Sequence, residues 1–60
     1  MPVVTVLQGP RGSDQKRKLV EGTTEAFRAA YDMPAEAVQV WIHDTPTDSW
    51  GEGGKLKADG

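Results

Sequence analysis

Cysteine is absent from the chain, which excludes disulfide staples and thiolate metal sites. The single histidine, His43, has no companion ligands nearby in sequence, so a structural zinc site is not expected either. No apolar run approaches the ~20 residues of a membrane span, and no signal-peptide pattern precedes the first apolar stretch. Neither sign of charge predominates: seven basic and nine acidic residues leave a net charge of −2. That balance lacks the electrostatic footprint of a nucleic-acid binder. The one basic run, Lys16-Arg17-Lys18, reads as a solvated helix face. The expectation is a cytoplasmic chain without metal, cofactor, membrane or nucleic-acid partner.

Size narrows the reading further. Sixty residues are expected to form one domain, 1–60, and a domain this small buries only about 60% of its unfolded surface. Without disulfides or a metal, oligomerisation is the remaining way to stabilise such a core. A homo-oligomer is therefore expected before any function is considered.

What is present falls into a short series of elements. Pro2 to Leu7 reads as a β-branched strand with apolar residues on both faces, which implies burial on both sides. Gln8-Gly9-Pro10-Arg11-Gly12 is punctuated as a loop. Ser13 then serves as helix N-cap, with Asp14 suited to the helix dipole in the first turn. Leu19, Val20, Thr23, Ala26, Phe27, Ala30 and Tyr31 recur at helical spacing and form an apolar stripe. The helix stops by Asp32-Met33-Pro34, because proline disfavours α geometry in the residue before it.

A second strand follows over Ala37 to His43. Val38, Val40 and Ile42 alternate there with Gln39, Trp41 and His43. Strand, helix and strand in this order make a βαβ unit with parallel strands and the helix on one face. Trp41 then points away from the helix, and a tryptophan on a bare sheet face marks an assembly interface. His43 shares that face, where an interfacial hydrogen bond is its expected role. The tail from Thr45 to Leu56 is too rich in glycine, proline and aspartate for a helix and reads as a loop and hairpin.

Pro2 also has chemistry to offer. Methionine ahead of a small residue is usually trimmed, which would leave a secondary amine at the head of a strand. An α-amino group has an ordinary pKa of roughly 7.7–8.0, and burial or nearby cations lower it further. Such a group serves as a base near neutral pH without a histidine.

Pro2 at the head of a strand, the turn bearing Arg11, Ser13-Asp14-Gln15-Lys16 opening one long helix, and Trp50-Gly51-Glu52-Gly53-Gly54 together resemble the 4-oxalocrotonate tautomerase family. The resemblance covers essentially the whole chain. It implies an α/β (α+β) β-α-β protomer that dimerises into a four-stranded sheet and assembles as a homohexamer, a trimer of dimers. It further implies a cofactor-independent tautomerase of small 2-hydroxydienoate or enolpyruvate-type acids, an enzyme type met in aromatic degradation. Pro2 would be the base that takes the enol proton and returns it to carbon. Arg11 would bind a substrate carboxylate or polarise the 2-oxo group. Trp50 would wall the pocket and help keep the proline's pKa low.

General chemistry agrees with those roles. Keto–enol exchange needs one group that takes and returns a proton and a cation or donor where enolate charge develops. Arginine's planar fork suits a carboxylate. Two features depart from the family. Gln39 stands where a second arginine is usual, so a smaller or monocarboxylic substrate, or weaker catalysis, is implied. Pro10 is inserted in the Arg11 loop, after a first strand one residue short. The alternatives are a hydratase or dehalogenase in which Glu52 activates water, and a catalytically disabled oligomer that retains Met1 and with it an amide at Pro2.

Overall fold

The computed structural model describes residues 1–60. Strand β1 (Val3–Gln8), helix α1 (Ser13–Tyr31), strand β2 (Gln39–Asp44) and a hairpin of β3 (Gly51–Glu52) and β4 (Lys55–Leu56) follow in that order. Short 3₁₀ turns at Ala35–Ala37, Thr47–Ser49 and Lys57–Asp59 join or end them. β1 and β2 are parallel, with Val3 opposite Gln39, Thr5 opposite Trp41 and Leu7 opposite His43. A helix between two parallel strands is the expected crossover, and α1 packs against β2.

The boundaries shift from those expected. β1 begins at Val3 because proline has no N–H for the ladder, yet the Pro2 carbonyl accepts from the Gln39 N–H at 3.0 Å. The strand runs on through Gln8, whose carbonyl accepts from the Thr45 N–H at 2.7 Å. β2 begins at Gln39 and not Ala37, because Ala37 is taken up by the 3₁₀ turn. Ser13 is the first helical residue and not the cap. Gly12 occupies the N-cap position in extended geometry and offers no side-chain hydrogen bond. At the other end Asp32 closes the helix in the left-handed region, with φ 52° and its N–H on the Arg28 carbonyl at 2.9 Å.

The helix turns a narrower face to the sheet than its apolar stripe suggests. Lys16, Val20, Thr23, Thr24 and Phe27 are half-buried, while Leu19, Ala26, Ala30 and Tyr31 are exposed. Tyr31 does stack near Phe27, with ring centroids 5.8 Å apart. On the sheet, Val4, Val6, Val40 and Ile42 alternate inward and Val3, Leu7 and Trp41 outward. The expectation that β1 is covered on both faces fails in the protomer, since only one layer of helix is there to cover it. Val3, Leu7 and Trp41 remain 59%, 76% and 56% exposed, and not one residue is fully buried. The radius of gyration is 14.8 Å, against about 10 Å for a compact chain of this length.

The hairpin has a specific glycine requirement. Gly53 and Gly54 carry φ of 64° and 82°, the positive pair that a two-residue primed turn demands. A Cβ on Gly51 would stand 2.6 Å from the backbone carbonyl oxygen of Lys55. Gly51→Ala is therefore expected to open the hairpin beside Trp50, costing about 1–3 kcal/mol in denaturant unfolding and shifting tryptophan emission. Unchanged stability and emission would contradict that packing.

Candidate active site

The candidate residues gather at opposite ends of the parallel pair. Pro2 and Gln39 share the amino-terminal end, tied by the Gln39 N–H to Pro2 carbonyl bond. Pro2 is half-buried and Gln39 exposed. The Gln39 side-chain oxygen accepts from the Trp41 indole N–H at 3.1 Å, which leaves the amide NH₂ as a donor. Arg11 and Trp50 lie beyond the other end, after β1 and β2 respectively. The six residues of β1 rise by about 20 Å. One protomer therefore brings Pro2 together with Gln39 but not with Arg11 or Trp50.

A cavity of about 430 Å³ opens at the carboxy-terminal end, lined by Leu7, Gln8, Gly9, Thr45, Thr47 and Trp50. Trp50 is 40% exposed and presents a flat aromatic wall, with the Lys57 ammonium 5.8 Å from its ring centroid. The Lys57 N–H donates to the Trp50 carbonyl at 3.0 Å and so seats the tail over that wall. Glu52 pairs with Lys55 across the hairpin and lines a smaller recess with Trp50, not the larger cavity. His43 is exposed on the outer sheet face opposite Leu7.

The polar group that sequence reasoning missed is Asp44 at the end of β2. It pairs with Lys16 and accepts from the Gln8 amide at 3.4 Å. Lys16 is thus not part of a solvated run: Arg17 and Lys18 face solvent, and Lys16 turns in to the strand end. The hydrogen bond from Lys16 lowers the Asp44 pKa, helped by the Gln8 amide and the Arg11 backbone N–H, while desolvation opposes the shift. A carboxyl whose folded pKa is lowered stabilises the fold above its unfolded value and loses that contribution as pH falls through the folded one. The cluster is accordingly intact at neutral pH. The signal was present in the alternation, since Asp44 continues the inward parity of Val40 and Ile42. By contrast the Arg17–Asp14 and Arg28–Glu25 pairs, at 2.7 and 3.0 Å, are exposed and worth little.

No helix is long and apolar enough to cross a membrane, and no group of three or more His, Cys, Asp or Glu side chains could hold a metal ion. A parallel β-α-β unit closed by a glycine hairpin is the fold of the small tautomerases. A solved 4-oxalocrotonate tautomerase homologue superposes with a TM-score of 0.89 at 33% identity, over 100% of this chain and 97% of that one. A 4-oxalocrotonate tautomerase isozyme from Methylibium petroleiphilum matches with a TM-score of 0.77 at 38% identity, covering 97% and 94%. The 2-hydroxymuconate tautomerase of Comamonas testosteroni is 39% identical over 51 residues, 85% of this chain and 79% of that protein. The family model described as tautomerase enzyme matches residues 2–60, and the chain belongs to that family. It is a tautomerase, an isomerase by reaction class.

Proposed function

We propose that the chain interconverts enol and keto forms of small 2-hydroxydienoate or enolpyruvate-type acids, with Pro2 as base once Met1 is removed. The observation that carries this reading is the setting of Pro2 in a tautomerase. Its carbonyl is held by Gln39 and its ring heads the strand, so loss of Met1 leaves a secondary amine fixed in place. The neutral amine takes the enol O–H proton, the electron pair forms the carbonyl, and the conjugated chain passes charge to a carbon. The ammonium then returns the proton to that carbon, and the amine is restored. Such transfer is efficient when the base has a pKa near the working pH.

The other residues supply binding. The Arg11 fork pairs with the substrate carboxylate, Trp50 packs on the planar conjugated chain, and the Gln39 amide donates a neutral hydrogen bond. Gln39 adds no charge, which favours a substrate with one carboxylate. The ~20 Å between the two groups is closed by a second copy running antiparallel, whose strand starts meet the first copy's strand ends. The exposed Val3, Leu7 and Trp41 supply the apolar surface for association, and a hexamer built as a trimer of dimers is the assembly we propose.

The test is the ultraviolet decay of 2-hydroxymuconate and of phenylenolpyruvate with protein of Met-free mass. Faster decay than buffer is expected, greater for the monocarboxylic enol. A rate equal to buffer on both acids would overturn the reading.

A further inference from the structure

Arg11 sits in a place that gives it little support of its own. The loop between β1 and α1 is only Gly9-Pro10-Arg11-Gly12, and side chains on loops are held less well than those on strands or helices. A Cβ at Gly9 or Gly12 would meet nothing within 4 Å. No packing at those two positions therefore holds the loop. Its restraints lie at its two flanks, and both flanks reach the same carboxylate.

Gln8 precedes the loop. Its amide donates to Asp44 at 3.4 Å, and its carbonyl accepts from the N–H of Thr45, the residue after Asp44, at 2.7 Å. Lys16 follows the loop. Its backbone N–H donates to the Gly12 carbonyl at 3.1 Å, and its ammonium pairs with Asp44. The backbone N–H of Arg11 favours the ionised carboxylate from between them. The loop is thus stapled across its mouth by Gln8, Asp44 and Lys16.

We propose that Asp44 is a positioning residue for Arg11: by holding both flanks of the loop to the end of β2, it fixes where the guanidinium meets the substrate carboxylate. This rests on the reading of Arg11 as the carboxylate-binding residue. The chemistry fits the position. The carboxylate accepts several donors at once, and Asp44 is itself held in the ladder opposite Gln8. Asp44 touches no reacting atom, so its effect falls on binding and orientation. Losing it loosens the Arg11 loop and removes no group that takes or returns the proton.

Enol-decay kinetics with a monocarboxylic enol test this on four proteins: wild type, Asp44→Ala, Arg11→Ala and the double variant. Assembly mass and circular dichroism are recorded for each. The expected result is a KM about tenfold higher in Asp44→Ala, the scale of one charge-assisted hydrogen bond, with kcat within about threefold. Asp44→Asn, which keeps an acceptor, recovers most of the loss. In the Arg11→Ala background Asp44→Ala adds less than about twofold, because residues acting through one another are not additive.

Equal KM effects of Asp44→Ala with and without Arg11 would overturn the proposal and leave Asp44 a structural residue. Arg11→Ala with unchanged KM would overturn the Arg11 reading and the proposal together. Should Asp44→Ala fail to assemble, Asp44→Asn and Lys16→Gln decide the matter. Each is expected to raise KM about two- to fourfold by weakening one strand of the staple, and wild-type KM in both would overturn the proposal.

Discussion

Alanine in place of Pro2 is expected to lower kcat about ten- to a hundredfold, with KM held within a few-fold. Methionine is trimmed ahead of alanine as ahead of proline, so both proteins carry a free amine. What changes is how that amine is held. Proline's ring fixes the nitrogen, whereas alanine leaves the terminus free to turn about its backbone. Misplacing a catalytic group by about 1 Å can cost about a hundredfold, and a positioned base contributes about 10²–10⁴-fold in all. A loss in kcat with KM nearly unchanged identifies a group used in the transition state and not in binding. A Pro2→Ala protein of verified mass that matches wild type would remove the proline from the mechanism.

Aspartate at Leu7 or Trp41 is expected to break the assembly. Both side chains stand on the outer sheet face, 76% and 56% exposed in the protomer. Burying one large apolar side chain stabilises by about 1.5–3 kcal/mol, and each site recurs in every copy. A charge on that face loses the gain and adds the cost of desolvating a carboxylate. Set against total stabilities of about 5–15 kcal/mol, this is enough to return the protein to protomers. Those protomers, with no fully buried residue, are expected to lose most of their helical signal as well. Light scattering on the eluting protein and circular dichroism give both readouts. An unchanged assembly mass for Trp41→Asp would show that this face is not an interface.

The β-α-β order was legible because two periods are written plainly in the chain. Val38, Val40 and Ile42 alternate against Gln39, Trp41 and His43, and the helix runs without interruption to the Asp32-Met33-Pro34 stop. Glycines 53 and 54 mark the hairpin turn by a different signal, since glycine takes the positive φ values there without strain. Less legible was which part of the apolar stripe faces the sheet. Leu19, Ala26, Ala30 and Tyr31 stay exposed because a two-stranded sheet is narrower than the stripe. Ser13 has the residue type of a cap, yet Gly12 supplies the extended geometry and takes that position.

The candidate site is legible in the chain only as separate residues. Pro2, Arg11, Gln39 and Trp50 are recognisable one by one, but they sit at two ends of a strand. The sequence of one copy does not tell which ends of neighbouring copies meet. Asp44 was missed because its partners, Gln8 and Lys16, are 36 and 28 positions away in the chain. The register of β1 on β2 brings Gln8 beside Asp44, and the packing of α1 against β2 brings Lys16 to it.

The most direct test of the central claim compares 2-hydroxymuconate decay by two chains that differ only at the terminus. One begins at Pro2, and the other keeps Met1, so that the same proline is an amide. Both are checked by intact mass, assembly mass and circular dichroism. The Met1-bearing chain is expected to keep fold and assembly and to lose about 10²–10⁴-fold in kcat/KM. Equal rates from the two chains would contradict it, because an amide nitrogen cannot accept the enol proton.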